Sequence, residues 1–183
     1  ECITVMHNTI NEARITCLAR DKAHAQLVSR HPSLAGKRIV LFVGAVMQEK
    51  RVEVLIEAMA RLARPDLALV VVGDGPHLPQ LRELCAGRAD VVLAGSVIDG
   101  VGSYFDAAEV FVLPGTGGLG LNEAMAHGLP MLSSYADGSA DDLVVDGQTG
   151  FRLRQDTVAE LAERLVQVLG DPDLAANMGR TAQ

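Results

Sequence analysis

Six short apolar runs, spaced along the chain from residue 39 onward, constrain the fold most strongly. They span residues 39–43, 67–72, 91–94, 110–113, 131–134 and 151–153. Most are continuous rather than alternating, which is typical of strands buried on both faces of a parallel sheet. Because helical patterns occupy gaps between them, the sequence predicts an α/β fold with a doubly wound, Rossmann-like, six-stranded parallel sheet.

Three of the segments between the runs have the residue spacing of amphipathic helices. Apolar residues recur there at intervals of three and four, which marks the face that packs against a core. These residues are Val52, Leu55, Ile56, Met59 and Leu62; Leu78, Leu81 and Cys85; and Val158, Leu161, Leu165 and Val168. A last helix is predicted after Asp171, a favourable N-cap residue followed by Pro172 at the first helical position.

The beginning of the chain is organised differently. Its pattern predicts a strand over residues 2–6, a turn over residues 7–10, and a charged segment over residues 11–30 with partial helical periodicity. We therefore divide the chain into a lead-in or interdomain segment, residues 1–35, and one domain, residues 36–183, which is long enough to bury its own core.

Composition argues against several classes of function. The chain has 183 residues, is 49% hydrophobic and carries a net charge of −7 without a basic stripe, which argues against a nucleic-acid partner. Its longest apolar stretch, residues 39–47, is shorter than the roughly 20 residues of a membrane span. Cys2, Cys17 and Cys85 lack metal-ligand spacing, so we expect reduced thiols in a cytoplasmic protein. The histidines form no zinc or triad pattern, and His127 is interpreted as a helix cap or dipole partner.

Residues 110–130, VFVLPGTGGLGLNEAMAHGLP, predict a strand, a glycine-rich turn and a helix. Gly115, Gly117 and Gly118 allow backbone N–H groups to approach a ligand, and the first helical turn adds unpaired donors and a positive dipole end. The pattern therefore predicts a phosphate site. Glu123, on that first turn, can accept hydrogen bonds from two neighbouring hydroxyls, such as those of a ribose. The alternative is a capped amphipathic helix in which the dipole alone favours Glu123.

A second candidate phosphate ligand follows the first predicted strand. Gly44 ends that strand, and Lys50 is predicted to begin the next helix. In the common doubly wound order 3-2-1-4-5-6, strands one and four are neighbours where the order reverses, and ligands bind at their carboxyl ends. The sequence therefore predicts that Lys50 and the glycine-rich turn lie at one crevice. The alternative is that Lys50 is a solvated residue of a charged cluster at a helix start.

Two other motifs favour structural roles. Gly73 and Gly75 begin a possible dinucleotide fingerprint, but Leu78 stands where its third glycine is required. We therefore interpret this motif as a turn between a strand and a helix. The aspartate-rich residues 135–150 could hold a hard metal ion, yet their spacing favours helix capping around residues 139–142.

Five motifs in a fixed order resemble a known family. They are FVGAVMQEK, LIEAM, VVGDGP, VFVLPGTGGLGLNEAMAHGLP and ADGSADDLVVDGQTGF. Through them, residues 39–183 resemble the C-terminal, donor-binding half of a family 4 retaining glycosyltransferase of GT-B fold. HNTIN, at residues 7–11, is similar to the turn that leads from the interdomain region into this half. The resemblance implies a nucleotide-sugar donor, a UDP- or GDP-sugar, as co-substrate, with no cofactor and no metal ion.

The resemblance also implies roles for individual residues. The residues that would hold the donor diphosphate are Lys50, Gly44, Gly117, Gly118 and Leu119. Those with other implied roles are Glu123 at the ribose, Val97 at the nucleobase, and Gly115 and Thr116 on the side of the donor sugar.

Two positions depart from the family pattern. Ala45 stands where the family has an arginine that shares the diphosphate with the lysine. Gly115 stands where the family has a glutamate that faces the donor sugar. The departures concern the donor-sugar contacts and part of the phosphate clamp, whereas the backbone of the glycine-rich turn still supplies donors.

For the whole protein, the resemblance implies retaining transfer of a hexosyl-type unit to a lipid, glycan or small-molecule acceptor. An N-terminal domain absent from this chain would hold the acceptor and the catalytic groups, so the chain alone is expected to be inactive. We expect a cytoplasmic protein, which reaches the inner face of the membrane only through that domain. Two alternatives stay open: a GT-B-fold sugar-nucleotide epimerase and a non-catalytic nucleotide-sugar-binding module.

Overall fold

The chain folds around one six-stranded sheet in a computed structural model that describes residues 15–134, 140, 142–155 and 157–183. The strands are β1 Arg38–Val43, β2 Leu67–Val72, β3 Val91–Gly95, β4 Ala108–Leu113, β5 Met131–Ser134 and β6 Gly150–Leu153. All neighbouring strands are parallel, and their order is β3-β2-β1-β4-β5-β6. The predicted fold and the reversal of order between β1 and β4 are therefore confirmed.

The strands coincide closely with the predicted apolar runs, and two of the extra residues have a physical explanation. β1 gains Arg38, whose guanidinium donates to Glu109 Oε2 at 2.7 Å and to Leu169 O at 3.0 Å. A charged residue can therefore occupy the strand end while its head group stays paired. β6 gains Gly150, where a Cβ would lie 2.7 Å from the carbonyl carbon of Met131. The close approach of β5 and β6 thus favours glycine.

Seven α-helices and two 3₁₀ turns connect the strands in the described part of the chain. The helices are α1 Arg20–Arg30, α2 Val52–Leu62, α3 Leu78–Leu84, α4 Gly102–Ala107, α5 Gly120–Ala126, α6 Val158–Gly170 and α7 Pro172–Ala182; the turns are Pro32–Leu34 and Gln48–Lys50. Every residue of the three predicted stripes is buried in the core or packed against it. α4 was not predicted, because its six residues carry no helical stripe. None of these helices has the length and apolarity needed to cross a membrane.

The prediction that Lys50 begins a helix is wrong. Lys50 ends the 3₁₀ turn Gln48–Lys50, and Arg51 then adopts a left-handed conformation with φ 53° and ψ 37°. α2 begins only at Val52. Because the left-handed residue separates the turn from α2, Lys50 belongs to the loop that leaves β1.

The boundary predicted at residue 36 separates segments that share one core. α1 packs against α4, and its Ala23 and Leu27 are fully buried in the same hydrophobic cluster as the sheet. The strand and turn predicted over residues 2–10 lie outside the described residues. The described part of the lead-in segment therefore folds with the domain that follows it.

The aspartate-rich segment before β6 forms turns across residues 142–149. Asp146 Oδ1 accepts a hydrogen bond from Arg152 N at 2.6 Å, which gives this carboxylate a structural role. Ser139 and Asp141, two of the residues predicted to cap a helix, lie outside the described residues.

α7 begins where the sequence predicts. Asp171 Oδ1 accepts a hydrogen bond from Leu174 N at 2.9 Å, and Pro172 is the first helical residue. The carboxylate thereby satisfies one of the backbone donors that a helix start leaves without a partner.

Replacement of this cap should lower stability modestly. Asp171→Ala is expected to reduce the free energy of unfolding by about 1 kcal/mol, because it removes the acceptor for Leu174 N. Asp171→Asn keeps an acceptor and should cost only a few tenths of that amount. Urea unfolding of the three proteins, followed by circular dichroism, measures both effects. Equal losses for the two variants would show that charge, and not the cap, is what Asp171 contributes.

α7 also packs against the end of α5. Gly179 passes so close to Gly128 that a Cβ at Gly179 would overlap the Gly128 carbonyl oxygen. Gln183 Nε2 donates to Ala126 O at 3.5 Å. The C-terminal end of α5 is thus supported by the last helix of the chain.

Candidate functional site

A cavity of about 350 Å³ lies where the carboxyl ends of β1 and β4 meet. We call it the Lys50 cavity. It is lined by Val43, Gly44, Ala45, Lys50, Leu113, Gly118, Leu119, Gly120 and Glu123. Lys50 and Gly118 therefore lie at one crevice, as the strand order predicts. The neighbouring strands bring together residues that lie far apart in the sequence.

Lys50 joins the two loops that form this cavity. Its Nζ donates to Thr116 O at 2.7 Å and also to Gly117 O. Thr116 N in turn donates to Glu49 O at 3.0 Å. The ammonium is thus held beside the glycine-rich turn by backbone carbonyls, and an anion that enters the cavity would compete with these carbonyls for the positive charge.

Gly115 is the point at which the two loops touch. It is buried, and a Cβ there would lie 2.6 Å from Lys50 Cα and closer still to Glu49 O. Ser134 Oγ donates to Gly115 O at 3.0 Å from the other side. Gly115 therefore packs against backbone, and this arrangement of the loops has no room for the glutamate that the family pattern places there.

α5 follows the glycine-rich turn and ends as predicted. Gly128 N donates to Met125 O at 2.8 Å, and Leu129 N donates to Ala124 O at 2.9 Å, with Gly128 at φ 65°. This pair of bonds is a Schellman motif, which a left-handed glycine completes. α5 has only seven residues. A helix this short contributes only a partial positive charge at its N-terminus. Among the residues that line the cavity, Lys50 supplies the full unit of positive charge.

Glu123 lies on α5 between two cavities. The second, of about 720 Å³, we call the Asp106 cavity. It is lined by Ile15, Thr16, Leu18, Gln26, Arg30, Gly100, Val101, Gly102, Ser103, Phe105, Asp106, Leu119, Glu123 and His127. Because Leu119 and Glu123 line both cavities, the two spaces adjoin.

The Glu123 carboxylate is half-buried. Burial raises its pKa above the usual range of a glutamate, while the nearby His127 acts in the opposite direction. Among the described residues, none donates a hydrogen bond to this carboxylate. A ligand with two adjacent hydroxyls would supply the missing donors from either cavity.

Val97 has a less direct position. It follows β3 and packs, partly buried, against the core. Among described residues, those that line the two cavities do not include Val97. Gly100 and Val101 of the same loop, and Gly102 at the start of α4, do line the Asp106 cavity. Its assignment to the nucleobase stays a prediction.

Asp106 is a site residue that sequence reasoning missed. Its Oδ1 lies 2.7 Å from His127 Nδ1, its Oδ2 accepts from Leu18 N at 2.8 Å, and the paired side chains of His127 and Asp106 are only 5% and 4% exposed. Burial, and then the negative charge of Asp106, raise the pKa of the nearby Cys17 thiol, so it is no activated thiolate. His127 is the C-cap residue of α5, as predicted, but its ring serves Asp106. No local sequence pattern predicts this pairing, because Asp106 lies in α4 and His127 lies at the end of α5.

Comparison with known proteins gives a consistent family. Residues 37–171 match the family described as glycosyl transferases group 1. The chain is 32% identical over 167 residues to alpha-D-kanosaminyltransferase of Streptomyces kanamyceticus. It is 31% identical over 173 residues to the GDP-mannose-dependent alpha-(1-6)-phosphatidylinositol monomannoside mannosyltransferase of Mycolicibacterium smegmatis. Each match covers 86% of this chain, but the chain spans only 43% and 45% of the length of these relatives.

The fold also matches about half of a solved structure. The structure of Anabaena Alr3699/HepE in complex with UDP and glucose superposes with a TM-score of 0.84 at 22% identity, over 98% of this chain and 50% of that one. This likeness shows the fold, a six-stranded parallel, Rossmann-like α/β sheet of the kind found in GT-B half-domains. The chain therefore belongs to the glycosyl transferases group 1 family.

Proposed function

We propose that this chain binds the nucleotide-sugar donor of a retaining glycosyltransferase that transfers a hexosyl-type unit without a metal ion. The observation that carries the proposal is the Lys50 cavity, in which an ammonium and the Glu123 carboxylate line one space at the ends of β1 and β4. Ligands of doubly wound sheets bind at such a reversal of strand order. The names of the relatives, one of them GDP-mannose-dependent, support a nucleotide sugar as the ligand.

Lys50 would compensate the charge of the diphosphate. When the glycosidic bond breaks, negative charge grows on the leaving phosphate, and a fixed ammonium in a partly enclosed site stabilises it. Gly44, Gly118 and Leu119 line the same cavity and would bring backbone to the phosphates, with Gly117 beside them. Because Ala45 cannot supply the second cation, the electrostatic contribution rests on Lys50.

Glu123 would hold the ribose, and its place between the cavities defines the direction of the nucleotide. The diphosphate would occupy the Lys50 cavity, while the nucleobase would extend into the Asp106 cavity toward the loop that contains Val97. The donor sugar would lie beyond the phosphates, near Gly115 and Thr116. Since Gly115 presents no side chain there, contacts to the sugar must come from backbone or from another part of the protein.

The remaining parts of the reaction belong to the rest of the protein. We place the acceptor, which is a lipid, a glycan or a small molecule, and the catalytic groups in an N-terminal half. We place the protein in the cytoplasm, with any contact to the membrane made by that half. The epimerase and the non-catalytic module are not favoured, because the matched family is one of glycosyl transferases.

The role of Glu123 is tested by changing the ligand and the residue together. Glu123→Gln keeps the shape of the side chain but loses its charge, so a nucleoside diphosphate should bind with an affinity lower by about 1.5 to 3 kcal/mol. The 2′,3′-dideoxy diphosphate lacks both hydroxyls and should bind the two proteins equally. Titration calorimetry with the UDP and GDP forms measures the comparison and shows which base is preferred.

The exposed Glu57 on α2 offers a matched control. Glu57→Gln makes the same chemical change away from both cavities and should leave every affinity unchanged. If Glu123→Gln leaves the ratio of the affinities for the nucleoside diphosphate and its 2′,3′-dideoxy form unchanged, Glu123 does not bind the ribose. Turnover of an NDP-sugar by the full-length protein, with retention of anomeric configuration, then tests the activity itself.

A further inference from the structure

Three side chains from distant parts of the chain converge on one point beside the Asp106 cavity. Cys17 Sγ lies 3.7 Å from His127 Nδ1, and Asp106 Oδ1 lies 2.7 Å from that same nitrogen. The three atoms all lie within 4.8 Å of one another. Cys17 precedes α1, Asp106 is in α4 and His127 ends α5, so only the fold assembles this group, which we call the Cys17 cluster.

The arrangement does not suit a proton relay. In a nucleophile–histidine–carboxylate relay, the nucleophile and the carboxylate contact opposite nitrogens of the imidazole, so that a proton passes across the ring. Here the thiol and the carboxylate both approach Nδ1. Atoms of three ligand types that converge on one point are instead the arrangement of a metal site.

We propose that the Cys17 cluster binds a borderline-soft divalent cation of the Zn²⁺ class through Cys17 Sγ, Asp106 Oδ1 and His127 Nδ1. Thiolate, imidazole and carboxylate are the ligands that zinc takes, and water from the adjoining cavity can complete the tetrahedron. Ordinary zinc bond lengths place sulfur and nitrogen about 3.6 Å apart in a tetrahedral site. The observed separation of Sγ and Nδ1 is 3.7 Å.

The cation would replace protons that the three groups now hold or share. The Cys17 thiol releases its proton to solvent, and the imidazole binds through Nδ1 as the neutral form with its hydrogen on Nε2. Oδ1 would move away from Nδ1 by about 0.7 Å to reach the spacing of two zinc ligands. The charge of the cation then balances one thiolate and one carboxylate.

Neighbouring groups already orient two of the three ligands. Leu18 N donates to Asp106 Oδ2 at 2.8 Å, and this leaves Oδ1 directed at the cluster. The ring of Phe105 stacks on His127 with centroids 5.3 Å apart. Such outer contacts are what hold the ligands of a metal site in place. Cys17 is exposed, so a cation can reach the cluster from solvent.

Occupancy would fasten the segment before α1 to α4 and α5. Among the described residues of this segment, Leu18 N contacts Asp106 and the Cys17 thiol contacts His127. A bound cation would turn these into coordination bonds at the wall of the cavity that Glu123 also lines. The site is structural, and sugar transfer requires no cation there.

The proposal is tested by metal binding to the reduced chain. Equilibrium dialysis against Zn²⁺ with elemental analysis should give one zinc per chain, and Co²⁺ should give a thiolate charge-transfer band in the near ultraviolet. Cys17→Ser should remove the band and weaken Zn²⁺ binding by about 100-fold or more, beyond the loss caused by changing an outer partner of a ligand. Zn²⁺ should also protect the Cys17 thiol from alkylation.

The controls use the other cysteines and the buried ligands. Cys85→Ser and Cys2→Ser should both keep the band and the stoichiometry. Asp106→Asn and His127→Gln should lose binding, and circular dichroism shows whether they still fold. Since Cys17 is exposed, its variant decides the question without a folding problem. Absence of bound zinc, or binding that persists in Cys17→Ser, would overturn the proposal.

Discussion

Lys50→Ala is expected to weaken the binding of a nucleoside diphosphate by about 10- to 100-fold and to leave binding of the parent nucleoside nearly unchanged. The ammonium lines the cavity at the ends of β1 and β4, where it now bonds the carbonyls of Thr116 and Gly117. The oxygens of a diphosphate would accept these hydrogen bonds in place of the carbonyls, and the positive charge of Lys50 would attract the negative charge of the diphosphate. A nucleoside has no group that needs this charge.

The measurement is a calorimetric titration of both ligands into the variant and the original chain. Lys37→Ala is a matched control, because Lys37 Nζ also donates to a backbone carbonyl, Ala89 O at 3.2 Å, but lies outside both cavities. Unfolding curves should be recorded too, since Lys50→Ala removes bonds between two loops. Equal losses for nucleoside and nucleoside diphosphate would exclude Lys50 from the phosphate role.

Gly115→Ala is expected to lower the free energy of unfolding by about 1 to 3 kcal/mol, the usual effect of overfilling a packed site. The added Cβ would lie 2.6 Å from Lys50 Cα and would overlap Glu49 O. Both neighbours are backbone atoms, so the loops must separate to admit it. This separation would also break the bond from Thr116 N to Glu49 O.

Gly118→Ala provides the control within the same turn. A Cβ at Gly118 would lie 3.6 Å from Lys50 Nζ, an ordinary van der Waals distance, so stability should change little. Thermal unfolding of the two variants without ligand measures the difference. Gly115→Glu should cost at least as much as Gly115→Ala, although it restores the family residue. If Gly115→Glu were as stable as the original chain, the close contact of the two loops would not exist.

The sheet could be predicted from sequence because its signal is local. Most strands are continuous apolar runs, and the strand order follows from a general rule for α/β folds. The turn at Lys50 could not be predicted. It depends on the left-handed conformation of Arg51, and a non-glycine residue has no local sequence preference that predicts such a conformation. α4 could not be predicted either. In this short helix even Ser103 is buried along with apolar residues, so the sequence has no alternation between a polar and an apolar face.

Some residues of the candidate site could be predicted from the sequence, and others could not. Lys50 and Glu123 could be predicted, because each follows a strand that ends at the reversal of the sheet. Asp106 and Cys17 could not, because their significance depends on His127, which lies 21 and 110 positions away along the chain. Spacing within a motif reveals ligands on one element, whereas contacts between elements require the fold.

The contact between α7 and α5 joins a helix beyond the residues matched to the family to the helix that carries Glu123. The family match ends at residue 171, and α7 begins at Pro172, yet Gly179 rests on the end of α5. α5 carries both Glu123 and, at its end, His127. Variation in the last dozen residues, which follow the residues matched to the family, can therefore change how firmly the end of α5 is supported. Relatives with the same motifs can differ in this property without differing at any residue of the site.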